Sequence, residues 1–396
     1  MILVVNAGSS SLKFSIYEIE NENGLRLACK AQIDGIGGHA RLHARDAEGA
    51  VLIDETYAAK DVPDAAAAME RAGAWLRAHS GGIIPVAVGH RVVHGGPAFA
   101  SPVAVDDAVF AALERLVPLA PLHQPQNLAP IRIIKEHFPG VLQVACFDTA
   151  YHRAHPEVAD RYALPEALYR EGVCRYGFHG LSYEYIARTL PRIAPEIAER
   201  RVVVAHLGSG ASMCATRGGR SVDTTMGFTA LDGLPMGTRC GQLDPGVVLY
   251  LLARKRYRLE DLEHLLYHQA GLLALSGLSN DVRDLLQSRE EGARLALEYF
   301  VYRAAREIGS LAGALGGIDA LVFTAGIGEN SPEMRARICA RSEWLGLQLD
   351  DVANRRGGPR ISSANSRISA WVIPTDEERM IAEHTLDVFR SRKEET

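Results

Sequence analysis

Three basic side chains stand apart from every charge run in the sequence. Arg91 lies in Gly89-His90-Arg91-Val92-Val93-His94-Gly95-Gly96, His179 in Arg175-Tyr176-Gly177-Phe178-His179-Gly180, and Arg239 in Gly237-Thr238-Arg239-Cys240-Gly241. Each is flanked by glycine and apolar residues, a setting that a merely solvated charge has no reason to occupy. Structural ion pairs and a buried, hydrogen-bonded histidine are the ordinary explanations. The chemical explanation is anion recognition, because arginine stays charged and binds carboxylate or phosphate oxygens two at a time. Oxygen donors are spaced along the same chain. Asp148 closes the apolar run Val144-Ala145-Cys146-Phe147, Asn6 closes the first apolar run, and Glu377 and Glu378 follow Ile373-Pro374-Thr375-Asp376. Carboxylates at strand ends suit Mg2+, which takes oxygen ligands. The alternatives are helix caps and solvated side chains, and Asp376 suits the N-cap of the last helix.

Glycine- and serine-rich turns follow apolar strands at Gly8–Ser11, Gly208–Gly210 and Gly326–Gly328. Such turns expose backbone N–H groups that cradle phosphate oxygens, and glycine permits close approach because no Cβ intervenes. Plain tight turns are the competing reading for each. No GxxxxGK[ST] occurs, so a Walker-type loop is excluded, and Gly326-Ile327-Gly328-Glu329-Asn330 lacks the third glycine of a dinucleotide fingerprint.

These residues need elements to position them. Ile2–Val5 and Leu12–Tyr17 form a strand–turn–strand unit in a β-rich start, and Val202–Leu207 with Ala211–Thr216 repeats it halfway along. The echo argues for two related halves. Strands are expected at 85–89, 141–147, 320–324 and 372–373. Helices are expected at 64–79, 106–116, 125–137, 246–254, 259–268, about 290–315, and from about Glu377. Strands interleaved with helices indicate an α/β class. No Gly/Ser linker separates the halves, which favours two packed domains over tethered ones.

Composition narrows the function. Lys plus Arg total 43 against 48 Asp plus Glu, a net charge of −5 that gives no reason to expect a nucleic acid or an anionic membrane as partner. No apolar run approaches the ~18 residues of a membrane span. No basic residue precedes the apolar start, so a signal peptide is not expected. The six cysteines form no CxxC pair. Scattered cysteines in such a chain are expected to be reduced thiols of a cytoplasmic protein.

Together these segments resemble the acetate kinase family over nearly the whole chain. The resemblance rests on Asn6-Ala7-Gly8-Ser9-Ser10-Ser11-Leu12-Lys13, Gly89–Gly96, Phe147-Asp148-Thr149-Ala150, Tyr176–Gly180, Ser221–Thr229, Gly233–Gly241, Phe323–Asn330 and Ile373–Glu378. It implies the fold shared by acetate kinases, sugar kinases, Hsp70 and actin: two duplicated actin-like (ribonuclease H-like) α/β domains flanking an ATP-binding cleft, and a homodimer. The implied domains are 1–149, completed by a C-terminal helix at 380–396, and 150–379. The implied activity is reversible, Mg2+-dependent transfer of the ATP γ-phosphoryl group to acetate, giving acetyl phosphate and ADP, with Mn2+ as an alternative metal.

Carried over by motif, Asn6, Asp148 and Glu377 match the positions around the metal. Ser9, Ser11 and Lys13 match the first phosphate hairpin, and His206, Leu207, Gly208, Ser209 and Gly210 the second. Arg91, His179 and Arg239 match the catalytic cations, joined by Asp148 and by His123 in Pro121-Leu122-His123. Asp281, Val282, Arg283, Gly326, Ile327, Gly328 and Asn330 match the adenosine side. Val93, Leu122 and Phe178 match the apolar pocket for the acyl methyl, next to Arg91. Two departures stand out. Ser209 replaces the usual asparagine of Gly-Asn-Gly, which shortens a side-chain reach to phosphate. Ala230 stands where the family often has proline, which leaves more room for an acyl chain. Propionate or butyrate kinase is therefore the nearest rival. An ATP-driven clamp or filament protein of the same superfamily is the remote one, and it leaves Arg91, His179 and Arg239 unexplained.

The residue types suit such a reaction. A carboxylate nucleophile is ionised at neutral pH, since its pKa is near 4, and needs no general base. Its difficulty is repulsion by the triphosphate, about 4 kcal/mol per pair of unit charges at ~4 Å and an effective dielectric of ~20. Fixed cations offset a penalty of that size, and phosphoryl transfer is catalysed mainly by positioning and charge stabilisation.

Overall fold

The computed structural model describes residues 1–8, 11–20, 24–79, 84–121 and 123–394. The chain forms two compact units. Met1–Tyr151 with Asp376–Thr396 make the first, and His152–Thr375 the second.

The first unit is built on an eight-stranded sheet. Its strands are β1 (Ile2–Ala7), β2 (Ser11–Glu20), β3 (Gly24–Asp34), β4 (Ala40–Asp46), β5 (Val51–Tyr57), β6 (Ala87–Val92), β7 (Val103–Ala104) and β8 (Leu142–Phe147), in the spatial order β5-β4-β3-β2-β1-β6-β8-β7. Strands β1 to β5 run as an antiparallel meander, while β6 joins β1 in parallel and β8 joins β6 in parallel. Alternation along β6 sends successive side chains to opposite faces. Val88 enters a core with Val5, Phe14, Ile33, Leu42 and Ile134. Gly89 points the other way, beneath Ile381 and Thr385 of the helix Glu377–Glu394, where a Cβ would have no room. That helix packs on β1, β6 and β8, so the last residues of the chain complete the first unit.

The second unit carries a five-stranded sheet of β9 (Arg201–Leu207), β10 (Ala211–Arg217), β11 (Arg220–Thr224), β12 (Ala320–Thr324) and β13 (Ser369–Val372), in the order β11-β10-β9-β12-β13. Strands β9 to β11 are antiparallel neighbours, and β12 and β13 add in parallel. The order β3-β2-β1-β6-β8 repeats as β11-β10-β9-β12-β13, with the same strand directions. The two halves share one topology, and the fold is a duplicated α/β, actin-like one.

Several local expectations shift. Gly326–Gly328 is not a turn but lies inside the short helix Ala325–Asn330. Tertiary contacts described below override the poor helix propensity of its glycines. The strand expected at 85–89 runs Ala87–Val92, and the one expected at 372–373 runs Ser369–Val372. Strands β4 and β5 were not anticipated. Asp376 does cap the last helix, accepting the Arg379 N–H at 2.9 Å. All six cysteines are free thiols. No helix among the described residues is long and apolar enough to cross a membrane.

Candidate active site

In the first unit the strand ends bring oxygen donors to one cation. Asp148 follows β8 and is 1% exposed, and Asn6 near the end of β1 is 9% exposed. Arg91 on β6 grips Asp148 through Nη2 at 2.6 Å and Nε at 3.0 Å, and reaches Asn6 Oδ1 at 3.4 Å. Burial alone would lower the Arg91 pKa, but Asp148, Glu377 and Glu378 raise it above the ordinary value, so the guanidinium stays charged. Glu377 is half-buried at the start of the last helix. Burial pushes its carboxyl up to about 7; Arg91 opposes the rise, while Asp148 and Glu378 add to it. Lys13 on β2 pairs in register with Asn6 on β1, which puts both side chains on one face.

The turn after β6 is fixed by residues that the sequence reading did not single out. Asn127 accepts the Val93 N–H at 2.9 Å and donates to Ala7 O at 2.7 Å, tying that turn to the end of β1. Gln124 bonds both the N–H and the C=O of His94, and Thr149 accepts the Gly95 N–H. Both Asn127 and Gln124 lie on the helix Gln124–His137, and the half-buried His123 stands at its N-cap. A polar residue on an otherwise apolar helix face was the available signal. Ser11 accepts the Gly8 N–H through its carbonyl at 2.8 Å, closing the first hairpin. Ser9 and Leu122 lie outside the described residues.

The second unit gathers the remaining cations on its hairpin. A Cβ added at Gly210 would lie 3.0 Å from Arg239 Nη2 and 3.2 Å from His179 Nε2, so both nitrogens converge on the β9–β10 turn. Arg239 is anchored by Nη1 to Ala230 O at 2.9 Å. His179 stacks on His206, with ring centroids 4.2 Å apart, and its Nδ1 meets Ser212 Oγ at 2.8 Å. It holds a left-handed backbone, φ 58° and ψ 23°, at the N-cap of the helix Gly180–Ile193. A non-glycine residue there costs on the order of 1–3 kcal/mol and persists only where its surroundings hold it. The preceding Phe178 is buried, and its carbonyl accepts from His152 Nε2 at 3.0 Å. His152 therefore receives the Ser221 hydroxyl at Nδ1, and burial keeps it neutral, well below the usual histidine range.

Two segments matched to the nucleotide approach the same turn. A Cβ on Gly208 would lie 3.7 Å from Ala325 Cβ and 4.0 Å from Gly326 N. Ala325 also has a positive φ, 65°, and its N–H is taken by Glu329 Oε1 at 2.8 Å. The same oxygen accepts the Thr375 N–H, tying the segment after β12 to the one after β13. Arg335, 1% exposed, donates to Gly328 O, Glu329 O and Asn354 and so holds the helix Ala325–Asn330 from behind. Asn330 and Gly326 stay exposed at its surface, with Ile327 half-buried. The Ser209 carbonyl accepts the Gly237 N–H at 3.2 Å, and a Cβ on Gly237 would lie 3.2 Å from Asn280 O, next to Asp281. Asp281 caps the helix Val282–Gln287, and Arg283 holds its carboxyl below the usual range. Val282 is buried and Arg283 exposed.

The family model described as acetokinase family matches residues 1–383. The chain belongs to the acetokinase family. It is 58% identical to an acetate kinase of Nitrobacter hamburgensis, over 99% of this chain and 96% of that protein. It is 56% identical to an acetate kinase of Rhizobium meliloti, over 97% of each. Among solved structures it is similar to a propionate kinase of Francisella tularensis, at TM-score 0.89, 34% identity, and 98% and 99% coverage of the two chains. It is also similar to the acetate kinase of Porphyromonas gingivalis, at TM-score 0.85, 36% identity and the same coverage.

Proposed function

We propose that this protein is an acetate kinase that transfers the ATP γ-phosphoryl group directly and in line to acetate, and reversibly back. The observation that carries the reading is the meeting of His179 Nε2 and Arg239 Nη2 at Gly210, in the unit that also holds the residues matched to the nucleotide. Two N–H donors aimed at one glycine turn suit the equatorial oxygens of a phosphoryl group. Arg91 is the cation for the carboxylate, with Val93, Leu122 and Phe178 around the methyl. His123 adds a donor. Lys13, Ser9 and Ser11 on one hairpin and Gly208–Gly210 on the other take the phosphate chain. Asp281, Val282, Arg283, Gly326, Ile327, Gly328 and Asn330 take the adenosine.

Among the described residues no cluster of three His, Cys, Asp or Glu stands ready to cage a metal. Mg2+ is commonly held by one or two carboxylates plus substrate phosphates. Asp148 and Glu377, with Asn6, would hold it, and the high pKa of Glu377 beside Asp148 marks a spot where a cation relieves repulsion. Bound there, Mg2+ would neutralise charge on the phosphates. The halves 1–149 with 380–396 and 150–379 would be the two working domains, in a cytoplasmic homodimer. The apolar helix Pro245–Ala253, none of whose residues is buried, supports self-association.

Relatives named acetate kinase at 58% and 56% identity favour acetate over the propionate activity named for a structure at 34%. A hydroxamate assay for acyl phosphate, with ATP, Mg2+ and acetate, propionate or butyrate, tests this. One methylene is worth about 1–3 kcal/mol, so kcat/KM should fall at least roughly fivefold from acetate to propionate. A higher value for propionate, or ATP turnover indifferent to any carboxylate, would overturn the reading.

A further inference from the structure

The edge of the His179 ring that faces away from Gly210 meets a hydroxyl relay. Ser212 on β10 and Tyr183 on the helix Gly180–Ile193 are both fully buried. Ser212 Oγ lies 2.8 Å from His179 Nδ1 and 2.5 Å from Tyr183 Oη. The arrangement follows from the elements. Tyr183 is one helical turn beyond His179, and its N–H bonds the His179 carbonyl at 3.1 Å. Ser212 pairs in register with His206, so it shares a sheet face with the ring on which His179 stacks. The stacking fixes the plane of the imidazole, and Ser212 fixes its rotation.

A serine hydroxyl has one hydrogen to give and two lone pairs to offer, whereas a neutral imidazole donates at one nitrogen and accepts at the other. Two proton orders are therefore open to the chain. In one, Tyr183 donates to Ser212 and Ser212 donates to His179 Nδ1, which leaves the imidazole proton on Nε2. In the other, every bond is reversed and Nε2 presents a lone pair. A phenol is the stronger acid of the two hydroxyls, and an aliphatic hydroxyl oxygen is the better acceptor, so the first order is favoured. It also makes Nε2 a donor beside the Arg239 guanidinium, with both aimed at the same glycine.

We propose that Ser212, backed by Tyr183, is a positioning residue that fixes His179 in the Nε2–H tautomer and so makes it a hydrogen-bond donor to the transferred group. The inference rests on the reading that His179 acts on that group. Neither Ser212 nor Tyr183 touches substrate. In metal sites, partners that fix which imidazole nitrogen is presented are worth about 10–100-fold, and an effect of that size is expected here.

The test is 15N-resolved NMR of histidine-labelled full-length protein, together with the hydroxamate assay. Wild type should show His179 as the Nε2–H tautomer. Ser212→Ala should give a tautomer mixture, with kcat down about 10–100-fold and the KM for ATP within roughly twofold. Tyr183→Phe, which removes a single oxygen, should shift the spectrum the same way with a smaller loss, and Ser212→Thr should restore both signals. A wild-type spectrum with the proton on Nδ1 would overturn the proposal without any variant. So would a Ser212→Ala protein that keeps both the tautomer and kcat. His179→Ala separates the two layers: near-normal activity there removes the role of His179 itself, whereas an inactive His179→Ala beside a normal Ser212→Ala removes only the relay.

Discussion

Arg335 holds the helix Ala325–Asn330, and it yields a quantitative prediction. Its side chain is buried, and it donates to carbonyl and amide oxygens. Nη1 donates to Gly328 O at 2.9 Å and Glu329 O at 2.8 Å, Nη2 to Asn354 O at 2.7 Å, and Nε to Asn354 Oδ1 at 2.8 Å. Burial lowers its pKa below the ordinary arginine value, and Cys339 opposes that only in part. The Gly328 and Glu329 carbonyls are among the last of the helix Ala325–Asn330, which that helix cannot satisfy itself. Arg335→Met removes the donors and keeps most of the volume. Each acceptor left unpaired costs about 1–3 kcal/mol, and removing the buried charge returns part of that sum. Four acceptors lose a partner, so a net loss of at least about 3 kcal/mol is expected, a large share of the ~5–15 kcal/mol that holds a typical protein folded. Urea unfolding measures it. In the folded fraction, the KM for ATP should rise at least about fivefold, about 1 kcal/mol, while the KM for acetate holds. A stability change under about 1 kcal/mol with an unaltered KM for ATP would refute the argument that Arg335 supports this helix.

Two further outcomes follow from packing and charge in the first unit. Gly89→Ala would drive a Cβ into Thr385 Oγ1 and to 2.7 Å from Ile381 Cγ2, and Thr385 cannot swing away freely because it donates to Ile381 O at 2.7 Å. A loss of about 1–3 kcal/mol in urea unfolding is expected, and wild-type stability would contradict the packing of the last helix on β6. Glu377→Gln addresses pH. The folded pKa of Glu377, about 7, lies above its ordinary 4.5, so the metal-free wild type loses stability as pH rises between those values, whereas the Gln variant does not. Urea unfolding at pH 5 and pH 8 without Mg2+ should show the variant gaining clearly more on wild type at pH 8 than at pH 5, and an equal difference at both would contradict the shift.

What could be read from residues alone was the material with strong local signals. Strand–glycine–strand units at β1–β2 and β9–β10 combine apolar runs with residues that only a turn tolerates, and their repetition pointed to the duplicated topology. The alternation of Ala40, Leu42 and Ala44 with Arg41, His43 and Arg45 is the signal of a half-buried strand, so β4 was open to reading there, whereas β5, with no buried residue, carries a weaker pattern. The helix Ala325–Asn330 was hidden because its glycines favour a turn, and the contacts that override them come from Arg335 and Glu329. The odd flanks of Arg91, His179 and Arg239 set them apart, and the structure pairs Arg91 with Asp148 and brings His179 and Arg239 to Gly210. Their supports carry no such mark: Asn127, Gln124, Ser212 and Tyr183 are ordinary residues on ordinary elements, and only the folded arrangement shows what they touch.

If His179 and Arg239, whose nitrogens converge on Gly210, act on a single phosphoryl group in flight, a double-mutant cycle in kcat/KM for acetate, with His179→Ala, Arg239→Ala and the pair, measures that directly. If each single change costs on the order of 10²–10³-fold, as loss of one charge-stabilising donor typically does, the pair should cost little more than the worse single change, because groups that act as a unit are strongly non-additive. Losses that multiply to about 10⁴–10⁶-fold would mean two independent tasks, and the claim would fail.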